Sequence, residues 1–189
     1  MSGSPSDACD LTLDPNTAHR VLSLSEDNRK VTRVGEYQSY PDHPDRFDSW
    51  VQVLGREALT GRCYWEVEWE GWVDIGVTYR GITRKGRGVD NRLGMNNKSW
   101  SLESLDGGYS TRYDGRWKAL PSPPAGSTRV GVYLDRPAGT LSFYRVSPDG
   151  DDSSDTLKHI HTFQSTFTRK LYPAFGMCGY DSSVKLCKL

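Results

Sequence analysis

Short segments in which apolar and polar residues alternate one for one run the length of this chain. Each is closed by turn-forming residues, a pattern that leaves room for little but β-structure. In Arg62 to Trp69 (RCYWEVEW) Trp65, Val67 and Trp69 fall on one face, and Tyr64, Glu66 and Glu68 on the other. In Val73 to Tyr79 (VDIGVTY) Val73, Ile75 and Val77 share a face opposite Asp74, Gly76 and Thr78. Val130, Val132 and Leu134 alternate in RVGVYLD, as do Leu141 and Phe143 in TLSFYRV, and Arg136-Pro137-Ala138-Gly139 turns the chain between the two. Asp114-Gly115 marks a second hairpin, and Ser25-Glu26-Asp27-Asn28 joins Arg20–Leu24 to Lys30–Val34. About a dozen strands are expected at this spacing. No segment carries a sustained helical repeat, although Asp14-Pro15 can start a single helical turn over Asn16 to His19. Antiparallel strands with one apolar face must stack on a second sheet, so the expected fold is all-β, a two-sheet antiparallel β-sandwich.

The 189 residues suffice for one domain with a full core. Twenty-four Lys and Arg balance 24 Asp and Glu, which argues against nucleic acid as the partner, because phosphate contacts need a basic excess. No apolar run is long enough to span a bilayer, so no membrane role is expected of this domain alone. Residues 1–7 read as a flexible leader or an added tag, not a signal peptide. Cys9, Cys63, Cys178 and Cys187 show no CxxC spacing and are expected to be reduced, mostly buried thiols in a cytoplasmic protein.

Catalytic motifs are missing: there is no GxSxG, no phosphate-binding loop with its lysine and no HExxH, so no enzyme, cofactor or metal is expected. His159 and His161 would share a strand face, but no cysteine or carboxylate follows at ligand spacing. Glu66 and Glu68 read as a soluble strand face. Long loops are expected at Gly35 to Ser49, whose prolines forbid a central strand, at Gly81 to Asn97, at Leu120 to Ser127 and at Ser147 to Asp155. The second carries Arg84, Lys85, Arg87 and Arg92; the last is acidic. Such charge runs serve either solvation or the steering of a partner.

Leu13-Asp14-Pro15, YWEVE (Tyr64 to Glu68), RVGVYLD (Arg129 to Asp135), AGTLSFY (Ala138 to Tyr144) and LYPAF (Leu171 to Phe175), in that order, resemble the PRY-SPRY domain. The stretches LTLDPNTAHRVLSLSEDNRKVT and SYPDHPDRFDSW are most similar to its fish-type versions, which end TRIM ubiquitin ligases, NOD-like receptors and the stonefish cytolytic toxins. The resemblance implies a bent two-sheet sandwich, concanavalin- or jelly-roll-like, over residues 8–189, with PRY at about 8–58 and SPRY at about 59–189. It also implies a non-catalytic module that binds a protein ligand through loops and one exposed sheet face. The expected parent is a cytoplasmic innate-immune ligase or receptor; the alternative is a secreted pore-forming toxin.

By the same resemblance Asp74 stands where the antibody-Fc-binding member has a contact aspartate, and Glu103 and Leu105 stand where it has two tryptophans. Fc binding is therefore not implied. Butyrophilins hold phosphorylated metabolites in a basic pocket of this region. Such a small anionic ligand is not expected here, because Asp74 and Glu103 would repel it. Tyr109, Arg112, Tyr113 and Trp117 flank the Asp114-Gly115 hairpin, and Trp50 ends the PRY loop. With Asp74, Glu103 and Leu105 they complete the candidate partner site, since Trp, Tyr and Arg dominate interface energetics. Trp65, Trp100 and Phe143 are assigned to the core.

Overall fold

The computed structural model describes residues 7–105, 108–121, 127–147 and 157–189. The alternating segments become strands β1 (Leu22–Ser25), β2 (Lys30–Arg33), β3 (Gln52–Leu54), β4 (Arg62–Glu70), β5 (Trp72–Tyr79), β6 (Ser99–Leu105), β7 (Gly108–Tyr113), β8 (Arg116–Ala119), β9 (Arg129–Asp135), β10 (Thr140–Val146), β11 (Leu157–Gln164), β12 (Leu171–Met177) and β13 (Ser183–Leu186). They form two antiparallel sheets. The first runs β1-β2-β13-β4-β9-β10-β11 and the second β3-β12-β5-β6-β7-β8.

The core lies between the sheets. Trp65, Val67 and Trp69 from β4 meet Val73, Ile75 and Val77 from β5, with Trp100, Leu102, Val130, Val132, Leu141, Phe143 and Phe175 around them. Each large side chain hidden this way contributes about 1.5–3 kcal/mol before the entropy of ordering it is subtracted. The hairpins follow the turn chemistry: Asp114 and Gly115 both take positive φ (53° and 75°), as a two-residue turn between β7 and β8 requires. Around Asn16 the chain makes only a turn, with Thr17 N–H on the Asp14 carbonyl at 3.1 Å, and no helix follows.

The outer face of the second sheet is partly roofed by the two central loops, which lock onto each other. Arg84 donates to the Ile82, Asp45 and Arg80 carbonyls, Lys85 to those of His43 and Arg46, and Gly86 N–H to Asp48. A small apolar cluster of Phe47, Leu54, Ile82, Leu93 and Ala174 sits beneath. Arg84 and Lys85 are thus structural. Of the other two long loops, 122–126 and 148–156, with the acidic run Asp149 to Asp155, lie outside the described residues, as does the leader up to residue 6.

Two expectations need correction. Cys9 and Cys63 are joined in a disulfide, with Cα atoms 5.6 Å apart, so only Cys178 and Cys187 are free thiols. The cause is a parallel bridge of Ala8 to Tyr64 and a bond from Cys9 N–H to the Tyr64 carbonyl (2.9 Å), which lay the N-terminal segment along β4. His159 and His161 do not share a face. A bulge shifts the register, so that His161 stands opposite Phe143 and His159 opposite Tyr144. The His161 ring packs on Phe163 (centroids 4.5 Å apart) and the His159 ring on Tyr144 (5.7 Å), on opposite sides of the sheet.

Candidate partner-binding site

Because Val73, Ile75 and Val77 point inward, Asp74 must point out of the second sheet. Register then aligns a row across four strands: Gly176 beside Asp74, Asp74 beside Glu103, and Glu103 beside Ser110. Arg112, two residues on from Ser110, reaches back into this row. Its Nη2 lies 2.6 Å from Glu103 Oε2, and its Nη1 lies 3.8 Å from Asp74 Oδ2. The Trp72 indole N–H also donates to Glu103 Oε2 (2.6 Å), and that of Trp117 to Oε1 (3.4 Å). Glu103 is therefore well compensated. Gly94 holds this arrangement in place: its φ is +78°, and a Cβ there would come within 2.5 Å of the Arg112 Cβ.

Asp74 is compensated less well. It is 3% exposed; its Oδ2 accepts from the Cys178 thiol at 3.3 Å, and its Oδ1 has no hydrogen-bond partner among the described residues. Burial pushes its pKa up to about 6, against the opposing pull of Arg112. Burial and the adjacent Asp74 charge also push the Cys178 thiol up, which makes it a poor nucleophile. The side chains of Asp74, Glu103 and Cys178 bring ligand atoms within 4.8 Å of one another. The counter-charge among them is already the Arg112 guanidinium, so they read as an ion-pair cluster.

Above Asp74 opens a recess of about 220 Å³, lined by Trp50, Trp72, Gln52, Met177, Cys178 and three arginines, Arg33, Arg87 and Arg92. Trp50 is pinned by its indole N–H on the Gly88 carbonyl (2.9 Å), with the Arg92 guanidinium 4.5 Å over its ring and that of Arg87 at 5.9 Å. Arg33 donates to the Met177 and Cys178 carbonyls and lies 4.6 Å from the centroid of the exposed Tyr180 ring. Beside the recess, Leu105 (41% exposed) stands opposite Trp72, and Trp117 (59% exposed) stands opposite Arg112.

Of the residues singled out from sequence, Asp74, Glu103, Arg112, Leu105, Trp117 and Trp50 gather on this one face. Tyr109 and Tyr113 do not. Both point inward from β7: Tyr109 is 4% exposed with its ring edge-on to Trp69 (6.4 Å), and Tyr113 stacks on Trp100 (5.1 Å). The alternation of β7 carries the signal, since Tyr109, Thr111 and Tyr113 form its less polar face and Ser110 and Arg112 the other. Sequence reasoning missed Trp72, Arg33 and Cys178, and it placed Arg87 and Arg92 in a charge run read as either solvation or partner steering, with no link to Asp74. It named Arg112 as a partner-binding residue but set only Asp74 and Glu103 against an anion; Arg112 lies between those two acids, and three arginines line the recess above them.

The family model described as "SPRY-associated domain" (PRY) matches residues 11–59, and that of the SPRY domain matches residues 62–188. Stonustoxin subunit beta of Synanceia horrida is 45% identical over 88% of this chain and 23% of its own length. Tripartite motif-containing protein 16 of Mus musculus is 37% identical over 96% of this chain and 32% of its own. The chain thus spans a quarter to a third of these relatives. The solved stonustoxin structure superposes with a TM-score of 0.87 at 39% identity, covering 96% of this chain and 29% of that one. The TRIM65 PSpry domain superposes at 0.83 and 26% identity, covering 97% and 92%. With both segments matched in order and nearly the whole chain superposed, this protein belongs to the SPRY family, its PRY segment leading into the SPRY domain.

Proposed function

We propose that the domain is a non-catalytic protein-recognition module that binds through the outer face of its second sheet. The observation that carries this reading is the juxtaposition of exposed Trp117 and Leu105 with a recess walled by Trp50 and Trp72 over the buried Asp74–Glu103–Arg112 cluster. Aromatic and arginine anchors around a desolvated, hydrogen-bonded centre match the composition of interface hot spots. The exposed side chains of Trp117 and Leu105 supply the contact area.

The parent we favour is a TRIM-type ubiquitin ligase or a NOD-like receptor of innate immunity, acting in the cytoplasm, with this domain choosing the target. Likeness to the two tripartite-motif domains supports it. The second reading, a subunit-contact domain of a secreted cytolytic toxin, is favoured by two observations. The Cys9–Cys63 disulfide suits an oxidising compartment, and the toxin subunits reach 45% identity. The gene sequence upstream separates the two: a RING, B-box and coiled coil for the first, a large cytolysin region for the second.

The test of the recognition face is affinity purification with the parent domain and with Trp117→Asp and Leu105→Asp variants, each checked for an unchanged melting temperature. Loss of the same captured protein from both variants supports the reading. Capture at parent levels by both rejects this face.

A further inference from the structure

The recess above Asp74 has an unusual electrostatic make-up for a site with a carboxyl floor. Arg33, Arg87 and Arg92 line it, and none of the three forms an ion pair among the described residues. The nearby acid Glu103 is taken up by Arg112 and two indole N–H groups. A cation entering the recess meets three guanidinium groups before it reaches the floor. An anion meets Arg87 and Arg92, which make no side-chain hydrogen bond among the described residues and are able to grip it in bidentate fashion, beside Arg33, whose Nη1 is held by the Met177 and Cys178 carbonyls.

Two of those arginines are also pre-positioned. Arg87 and Arg92 lean on Trp50, whose indole is anchored to Gly88, so their heads lose less freedom on gripping a ligand than free surface arginines would. Around the mouth, exposed Trp117, Leu105 and Tyr180 form a surface too wide for a small anion to cover. Resting on the reading that this face recognises a protein, we infer that the recess receives an aspartate or glutamate side chain of the partner, clasped by Arg87 and Arg92 over Trp50 with Asp74 beneath it.

Asp74 has a defined part in this. Its Oδ1 has no hydrogen-bond partner among the described residues, and the residue lines the floor. Protonated, it donates a hydrogen bond to the incoming carboxylate; ionised, it repels it. The charged or titratable groups facing it are Glu103 from β6, Arg112 from β7, Cys178 beyond β12 and Arg92 from the loop between β5 and β6, with Arg33 and Arg87 above. No histidine lines the recess. Docking of the acidic side chain therefore takes up one proton, at Asp74. Starting from a pKa of about 6, linkage makes binding about tenfold weaker at pH 7 than at pH 5.

A random dodecapeptide library displayed on phage, panned at acid pH on the domain and in parallel on Arg92→Glu and Arg92→Gln variants, tests this. Clones retained by the parent and lost on the variants are expected to be enriched in Asp and Glu. A synthetic peptide from such a clone should bind about tenfold more weakly at pH 7 than at pH 5, and Asp74→Asn should flatten that dependence. Basic or uncharged Arg92-dependent clones overturn the inference. So does a panning that yields no Arg92-dependent clone, or displacement of the peptide by inorganic phosphate at equal concentration, which would make the recess a small-anion site. None of these touches the recognition reading, whose own test runs through Trp117 and Leu105.

Discussion

Replacing Asp74 with asparagine removes a buried charge while keeping the shape of the side chain. In the folded protein burial raises the Asp74 carboxyl from 3.8 to about 6. Folding therefore favours the neutral form: the stabilisation is complete below about pH 4 and is lost as the pH rises through about 6. Fully developed, the loss amounts to about 3 kcal/mol, a large share of a typical domain's stability. An amide at this place does not titrate. Comparing parent and Asp74→Asn at two pH values cancels whatever the substitution does to packing and to the Cys178 hydrogen bond. Between pH 4 and pH 7 the difference in unfolding free energy should move by about 2 kcal/mol in favour of the variant. Urea unfolding followed by tryptophan fluorescence measures it, with the slope on denaturant held equal between the two proteins. A difference that stays constant, or that moves toward the parent as the pH rises, would refute the reasoning; it would mean that Arg112, 3.8 Å away, holds Asp74 as an anion more strongly than burial opposes it.

Other outcomes follow from the same geometry. Tyr109→Ala should cost about 3–5 kcal/mol in chemical denaturation, because the ring fills the core beside Trp69; a cost below 1 kcal/mol would return Tyr109 to the surface. Trp117→Ala should leave stability within about 1 kcal/mol and weaken partner binding by more than about fivefold in calorimetry, the mark of an exposed anchor. Reducing the Cys9–Cys63 bond, which closes a sequence separation of 54 residues, should lower stability by about 4 kcal/mol, read as a drop in unfolding midpoint on adding a thiol reductant. Gly94→Ala places a methyl group 2.5 Å from the Arg112 Cβ at positive φ. It should destabilise by about 1–3 kcal/mol and weaken binding even where the domain stays folded.

What could be read from the chain, and what could not, divides along physical lines. Period-two alternation is a local property, so the inward faces of β4, β5, β9 and β10 and the Asp114-Gly115 hairpin were all visible in sequence. The Asp74–Glu103 neighbourhood was reached through the family resemblance, and strand register then places the two side by side. The rest depended on contacts between distant segments. Arg33, Trp50, Arg87 and Arg92 come from a strand end and two loops and meet only because those loops lock together over the second sheet. Trp72 opens β5 directly after Glu70-Gly71, where a single aromatic residue has no alternation on one side to assign its face. The β10–β11 bulge defeated the placement of His159 and His161, because one extra residue inverts every face beyond it. The disulfide was hidden for a similar reason: cysteine spacing is silent about a bridge made by laying the N-terminal segment along β4.

The six tryptophans make the central claim directly measurable, since each indole N–H gives its own signal in a 15N-correlated NMR spectrum. Trp50, Trp72 and Trp117 lie on the proposed recognition face, whereas Trp65, Trp69 and Trp100 are buried between the sheets. On titration with the captured partner, the signals of Trp50, Trp72 and Trp117 should shift or broaden in step with saturation while the other three hold their positions. A saturable complex that leaves Trp50, Trp72 and Trp117 unmoved would contradict the account and place recognition elsewhere on the sandwich.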